Sequence, residues 1–126
     1  MERLHNLRPL ILFVSGLLGA CGVALAAAAS HGADTRLLGS ASSMCLVHAP
    51  TLLALHLGHR RIATATIAAL VIGTGTLLFA GDLLARHLGG SGLFPMAAPT
   101  GGTTMIIGWL LVALGAFSSS GRLTDP

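Results

Sequence analysis

The chain has 126 residues, of which 53% are apolar and 9% charged; an ordinary soluble domain carries roughly 25% charged residues, so the composition points to a bilayer and away from a water-soluble domain. The formal net charge is +3, its positive part carried by seven arginines with no lysine, but the arginines stand at the ends of apolar runs and not on a basic face between aromatics, which argues against nucleic acid as a partner. Aromatic content is 4% and tyrosine is absent, so interfacial aromatic belts are thin, and Cys21 and Cys45 both lie in apolar runs, where a thiol is a small buried hydrophobe and implies no disulfide framework.

Behind a polar lead carrying Arg3 and Arg8, residues 10–30 form an uncharged run long enough to cross the ~30 Å hydrocarbon core as a helix. Ser15, Gly19 and Val23, with Gly16, Ala20 and Ala24 beside them, set mostly small residues in rows at i, i+4, a pattern that lets membrane helices approach closely. The same stretch resembles a secretory signal, with alanine steps around Ala24 to Ala28 and a Leu18-Gly19-Ala20-Cys21 box like that of a lipoprotein. Its length, and a remainder that is itself membrane-like, favour a retained span.

A polar break from His31 to Arg36 precedes the second span, 37–58, which is interrupted by Ser40, Ser42, Ser43, His48, Pro50 and His56. Gly58-His59-Arg60-Arg61 reads as a tight hairpin, and the third span, 62–85, is rich in Ala, Thr and Gly. Asp82, Arg86 and His87 end it, and Gly89, Gly90, Gly92 and Pro95 mark an irregular loop. Pro99 suits the first turn of a helix and opens the fourth span, 99–117, before a polar tail. Within that span Gly101, Gly108 and Gly115 recur every seven residues along one stripe. In water each would cost about 1 kcal/mol against alanine; in lipid such a groove is a place for another helix to pack.

The second span decides the topology. If it crosses, Arg3, Arg8, Arg60, Arg61 and Arg122 share one side and Arg36 and Arg86 the other, five against two; if it does not, the division is three against four. The positive-inside bias selects four spans with both termini cytoplasmic. The fold expected is therefore all-α, a polytopic membrane protein forming a four-transmembrane-helix antiparallel bundle as a single domain over residues 1–126, in a bacterial inner membrane.

Gly75-Thr76-Leu77-Leu78-Phe79-Ala80-Gly81, Pro99-Thr100-Gly101-Gly102 and the following Gly108-Trp109 resemble the pattern of the domain-of-unknown-function 423 family, small four-helix membrane proteins that include the eukaryotic transmembrane protein 256. The likeness runs from about Gly16 to Ala116, with His31 and His48 also standing where that family has histidine. The chain departs from the pattern at Met44-Cys45, where the family commonly has Tyr-Gln, at Asp82, where it has a small polar residue, and at Ala98, where it has threonine before the proline. The resemblance implies the fold and the membrane address and no established reaction, ligand or partner.

Two sets of residues could carry chemistry. His48 lies near the middle of its span, where the neutral imidazole is expected; structural hydrogen bonding near the Pro50 kink, proton or ligand handling, and metal binding with Cys45 and Cys21 all stay open on the sequence, although a closed zinc site needs four ligands. Asp82 and Arg86 can pair across one helical turn. With His31, Thr100, Thr103 and Thr104 at similar depth they would form an outer polar cluster able to hold a cation or pass a proton. The Gly73-Thr74-Gly75-Thr76 run lacks the lysine of a phosphate loop, and Ser42 and Ser43 stand in no nucleophile elbow, so no catalytic residue, metal site or cofactor is assigned. Three function classes follow. Favoured is a non-enzymatic protein acting by contact with lipid, with another membrane protein or with its own copies. The alternatives are a transporter or channel component using the polar cluster and His48, and a metal or redox membrane protein.

Overall fold

The computed structural model describes residues 2–32 and 35–118, and among them every regular element is a helix. A one-turn α1 (Glu2–Asn6) leads into α2 (Arg8–Ala29), and α3 (Arg36–Leu57), α4 (Ala65–Gly89) and α5 (Ala97–Ser118) follow. Four of these are long and apolar enough to cross a membrane, α1 and α2 counting as one run, and the protein is a multi-pass all-α bundle of antiparallel neighbours. Pro9 falls in the first turn of α2, where its missing N–H costs nothing.

The third span begins three residues later and runs four further than its apolar pattern suggests. Residues 58–64 are spent on turns, closed by the Arg61 and Ile62 N–H groups on the Gly58 carbonyl at 2.9 and 3.0 Å, so helix α4 starts at Ala65. At its far end the helix continues through Asp82 and Arg86 until Gly90, whose φ of 79° takes the left-handed cap and returns its N–H to the Arg86 carbonyl. Arg3, Arg8, Arg60 and Arg61 thereby gather at one end and Arg36 and Arg86 at the other; Arg122, with residues 33, 34 and 119 onward, lies outside the described residues.

The helices pack in chain order: α2 on α3, α3 on α4, α4 on α5, with a slight contact between α2 and α4 and none between α2 and α5. The central helices are therefore the most enclosed, 50% of the apolar window of α4 being buried against 22% for α2 and for α5. Small residues fill the inside. Ala65, Ala68, Ala69, Gly73, Gly75 and Ala80 are buried on α4, while Phe13, Val23, Ile106, Leu110 and Phe117 face outward, the arrangement expected where lipid replaces water outside and close backbone approach provides adhesion.

Between α4 and α5 the approach is closest at glycine. Gly101, Gly108 and Gly115 are all buried. A Cβ on Gly101 would stand 2.8 Å from the Gly75 carbonyl and 2.7 Å from the Phe79 nitrogen, one on Gly75 would stand 2.8 Å from the Gly101 carbonyl, and one on Gly108 would collide with Ile72 Cγ1. Between α2 and α3 two buried serines act reciprocally: Ser15 donates to the Ala49 carbonyl at 2.8 Å and Ser42 to the Gly22 carbonyl at 2.7 Å. At the hairpin end, Thr64 donates to the Leu111 carbonyl at 2.7 Å and ties the start of α4 to α5.

Candidate functional site

Asp82 is fully buried near the far end of α4. One of its oxygens accepts from Arg86 Nε at 3.0 Å, the other from the Leu93 backbone N–H at 2.8 Å, and the Ala98 N–H is also directed at the carboxylate. Leu93 belongs to the loop and Ala98 to the first turn of α5, so one side chain on α4 ties the loop and the next helix down. In the first turn of α5 the Ala97 N–H goes to the Phe94 carbonyl, Pro99 has none, and Thr100 goes to the Met96 carbonyl, while the Ala98 N–H faces the Asp82 carboxylate. A carboxylate beside a helix N-terminus is also favoured by the helix dipole. The loop reaches Asp82 because position 92 is glycine; a Cβ there would run into Asp82 Oδ1 and lie 3.0 Å from Arg86 Nε. Met96, at φ 68°, takes a left-handed conformation unusual for a side-chain-bearing residue immediately before α5.

The other residues of the expected outer cluster are placed differently. Thr100, Thr103 and Thr104 return their hydroxyls to the carbonyls of Met96, Pro99 and Thr100 at 2.7 to 2.9 Å. They line a shallow cleft of about 280 Å³ with Met96 and Pro99, while the Asp82 side of the same helix carries Ala97, Gly101 and Met105. His31 is exposed at the end of α2, a helix that does not touch α5. Among the described residues the structure thus brings Asp82 and Arg86 together, and adds Gly92, Leu93 and Ala98, but does not bring the threonine hydroxyls or His31 into hydrogen bonds with the carboxylate. The physical reason is local competition: a threonine inside a helix has a carbonyl one turn back within reach, and the loop's own N–H groups are nearer to Asp82 than α2 is.

His48 is buried at 4% exposure, and both of its ring nitrogens are engaged. The Trp109 indole donates to Nε2 at 3.1 Å, and Nδ1 lies 2.8 Å from the Met44 carbonyl. An indole nitrogen can only donate, so Nε2 must be the unprotonated acceptor and Nδ1 carries the proton to Met44. The tautomer is therefore set by its neighbours: a neutral imidazole with the proton on Nδ1. The two rings sit 5.9 Å apart, tilted by 56°, and they link α3 to α5, whose backbones do not meet. Trp109 was not among the expected partners of His48, although depth could have found it. His48 stands twelve residues after Arg36 and Trp109 twelve after Ala97, on helices that run in the same direction, and an indole N–H in mid-bilayer needs an acceptor.

Cys21 and Cys45 are both free thiols, exposed and buried respectively. Among the described residues no three His, Cys, Asp or Glu side chains are placed to hold a metal ion. The opposite end of the bundle gathers basic side chains instead. His5, Arg8 and His59 line a cleft of about 210 Å³ with Leu4, Ala63, Thr66 and Ile67. Among the described residues Arg8 Nε is buried with no acceptor, and its Nη2 reaches the His56 carbonyl only at 3.5 Å. Partial burial lowers the His59 pKa from the ordinary imidazole value, helped by the positive charges of Arg8, Arg60 and His5 and opposed by its hydrogen bond to the His56 carbonyl.

No solved structure matches the chain. The family model described as a protein of unknown function, DUF423, matches residues 18–102, a stretch that starts inside α2, takes in His31, His48, the whole of α4 and Asp82, and stops in the first turns of α5. With about two thirds of its length so matched, the chain belongs to the DUF423 family.

Proposed function

We propose that this protein is a non-enzymatic component of a bacterial inner membrane, with both termini in the cytoplasm, that acts by helix-mediated contact with other membrane proteins or with lipid, its own helices held together by glycine-mediated packing. The observation that carries this reading is how the buried polar side chains are used. Asp82 ties a loop and a helix start, His48 is paired at both nitrogens, and Ser15, Ser42 and Thr76 donate to backbone carbonyls. Groups so committed hold a scaffold. What the scaffold presents outward is apolar: α2 and α5, not in contact with each other, each offer a broad face carrying residues such as Phe13 and Val23 or Ile106 and Leu110.

The test is photo-crosslinking in native membranes from positions 106 and 110 on α5, paired with ion-flux measurements on the purified protein in liposomes. Defined crosslinks from both positions, with flux no faster than in protein-free liposomes, are the expected result. Flux that depends on His48 or Asp82 would replace this reading with that of a transporter or channel component.

A further inference from the structure

The basic cleft does not stand alone. It opens between α2 and α4 at the end of the bundle that holds the N-terminus and the α3–α4 hairpin, and a second cavity of about 180 Å³ lies between the same two helices, lined by apolar residues and Thr74. The helical register places one above the other. On α2, Arg8 is followed at i+3 steps by Ile11 and Val14; on α4, Ile67 is followed by Leu70, Thr74 and Leu77 at i+3 and i+4 steps. From Thr66 to Leu77 the α4 side of the cleft and the cavity together spans about 16 Å at 1.5 Å per residue. That is the depth of about one leaflet, half of the ~30 Å hydrocarbon core.

The groove exists because α2 and α4, which run parallel, touch only slightly, and because its floor is small. Gly73 differs here from the glycines facing α5: a Cβ on it would make ordinary contacts, 3.5 Å from Leu52 Cδ1 and 3.7 Å from Val14 Cγ1. Packing does not demand glycine at 73, and the effect of having it is an open groove.

At the mouth Arg8 lacks an answer within the described residues. Its Nε–H is buried with no acceptor, and the basic neighbours that face His59 from α1, α2 and the hairpin are His5, Arg8 and Arg60. A buried guanidinium N–H without an acceptor is costly, and a planar guanidinium is suited to phosphate oxygens. A basic mouth at the membrane surface and the apolar groove that continues it, together about one leaflet deep, have the polarity profile of one lipid molecule.

We propose that the cleft between α2 and α4 binds an anionic phospholipid, its phosphodiester held by Arg8 and His5 and one acyl chain lying along Val14, Leu70 and Leu77. This deepens the proposed function, and rests on it, by naming the lipid class and its seat. The polar mouth selects charge and the groove selects a chain, so the two halves of the site can be tested apart.

The experiment is native mass spectrometry of the full-length protein released from detergent after incubation with phosphatidylglycerol, phosphatidylcholine or inorganic phosphate. The wild type is expected to retain one phosphatidylglycerol fivefold or more over phosphatidylcholine, the scale set by one arginine near a phosphate. Arg8→Gln should abolish that preference while keeping wild-type helicity, and Gly73→Leu, which fills the groove, should reduce retention of both lipids. Should either variant fail to fold, the other still tests its own half. Unchanged selectivity in Arg8→Gln, or equal retention of the two lipids by the wild type, overturns the site; inorganic phosphate that binds or displaces phosphatidylglycerol at millimolar concentration shows a free phosphate in place of a lipid and overturns it too. Equal retention of the two lipids by the wild type, with crosslinks from α5 intact, would sink this site and leave the proposed function standing.

Discussion

Replacing His48 by leucine removes the acceptor that the Trp109 indole uses across the α3–α5 gap. A buried donor left without a partner costs about 1–3 kcal/mol, but hydrogen bonds between membrane helices couple by about 0.6 kcal/mol on average and about 1.7 at most, because the unfolded chain in lipid finds other partners. Here the 3.1 Å bond runs to a ring whose proton is already held by the Met44 carbonyl and whose surface is 4% exposed, so its geometry is preorganised. The expected coupling lies in the upper part of that range, about 1–1.5 kcal/mol. The assay is a double-mutant cycle of His48→Leu with Trp109→Phe, which keeps an aromatic ring and removes the N–H, read by circular dichroism through a reversible denaturing-detergent titration. Because Trp109 is the single tryptophan of the chain, its emission reports the same event, and His48→Leu should shift it to the blue. Losses that add to within about 0.3 kcal/mol, with unmoved emission, would refute the argument that this bond joins α3 to α5.

Gly108→Leu should cost roughly 1–3 kcal/mol or more through overpacking, since even a Cβ there collides with Ile72, while Leu110→Ala on the outward face should cost much less; equal thermal stability of Gly108→Leu and wild type in detergent would show that α4 and α5 do not meet at this glycine. Asp82→Asn should lower the melting temperature more than Arg86→Gln does, because Arg86 supplies only one of the hydrogen bonds to Asp82, the loop supplies another and the start of α5 faces the carboxylate, and Gly92→Ala should increase proteolysis of the loop at 90–96; an Arg86→Gln loss as large as that of Asp82→Asn would reduce Asp82 to an ion pair. Reporter fusions near residue 60 and after residue 122 should report cytoplasm and one near residue 90 the outside, and an outside signal from the fusion after residue 122 would contradict four spans with both termini cytoplasmic.

Much of the architecture follows from the sequence alone, because the bilayer imposes one requirement at a time. A span must be long, nearly uncharged and helical, and the four runs around Leu18, Leu52, Ile72 and Met105 meet that requirement without reference to one another. Depth is also legible, since it is a count of residues from a span's end: His48 and Trp109 can be put at one level, and Asp82 near a surface. What the chain could not state is how each helix is turned about its own axis. Whether Asp82 looked toward His31 or toward the loop, and whether the three threonines shared its side of α5, depended on that rotation, and the tertiary structure decided it: the loop closes over the carboxylate at Gly92, and α5 turns Gly101 and Gly108 toward Gly75 and Ile72 of α4. The groove between α2 and α4 belongs to the same class. Arg8 and Gly73 are sixty-five residues apart in sequence and carry no shared pattern; packing in chain order leaves their two helices side by side in slight contact, with a gap into which Gly73 sends no side chain.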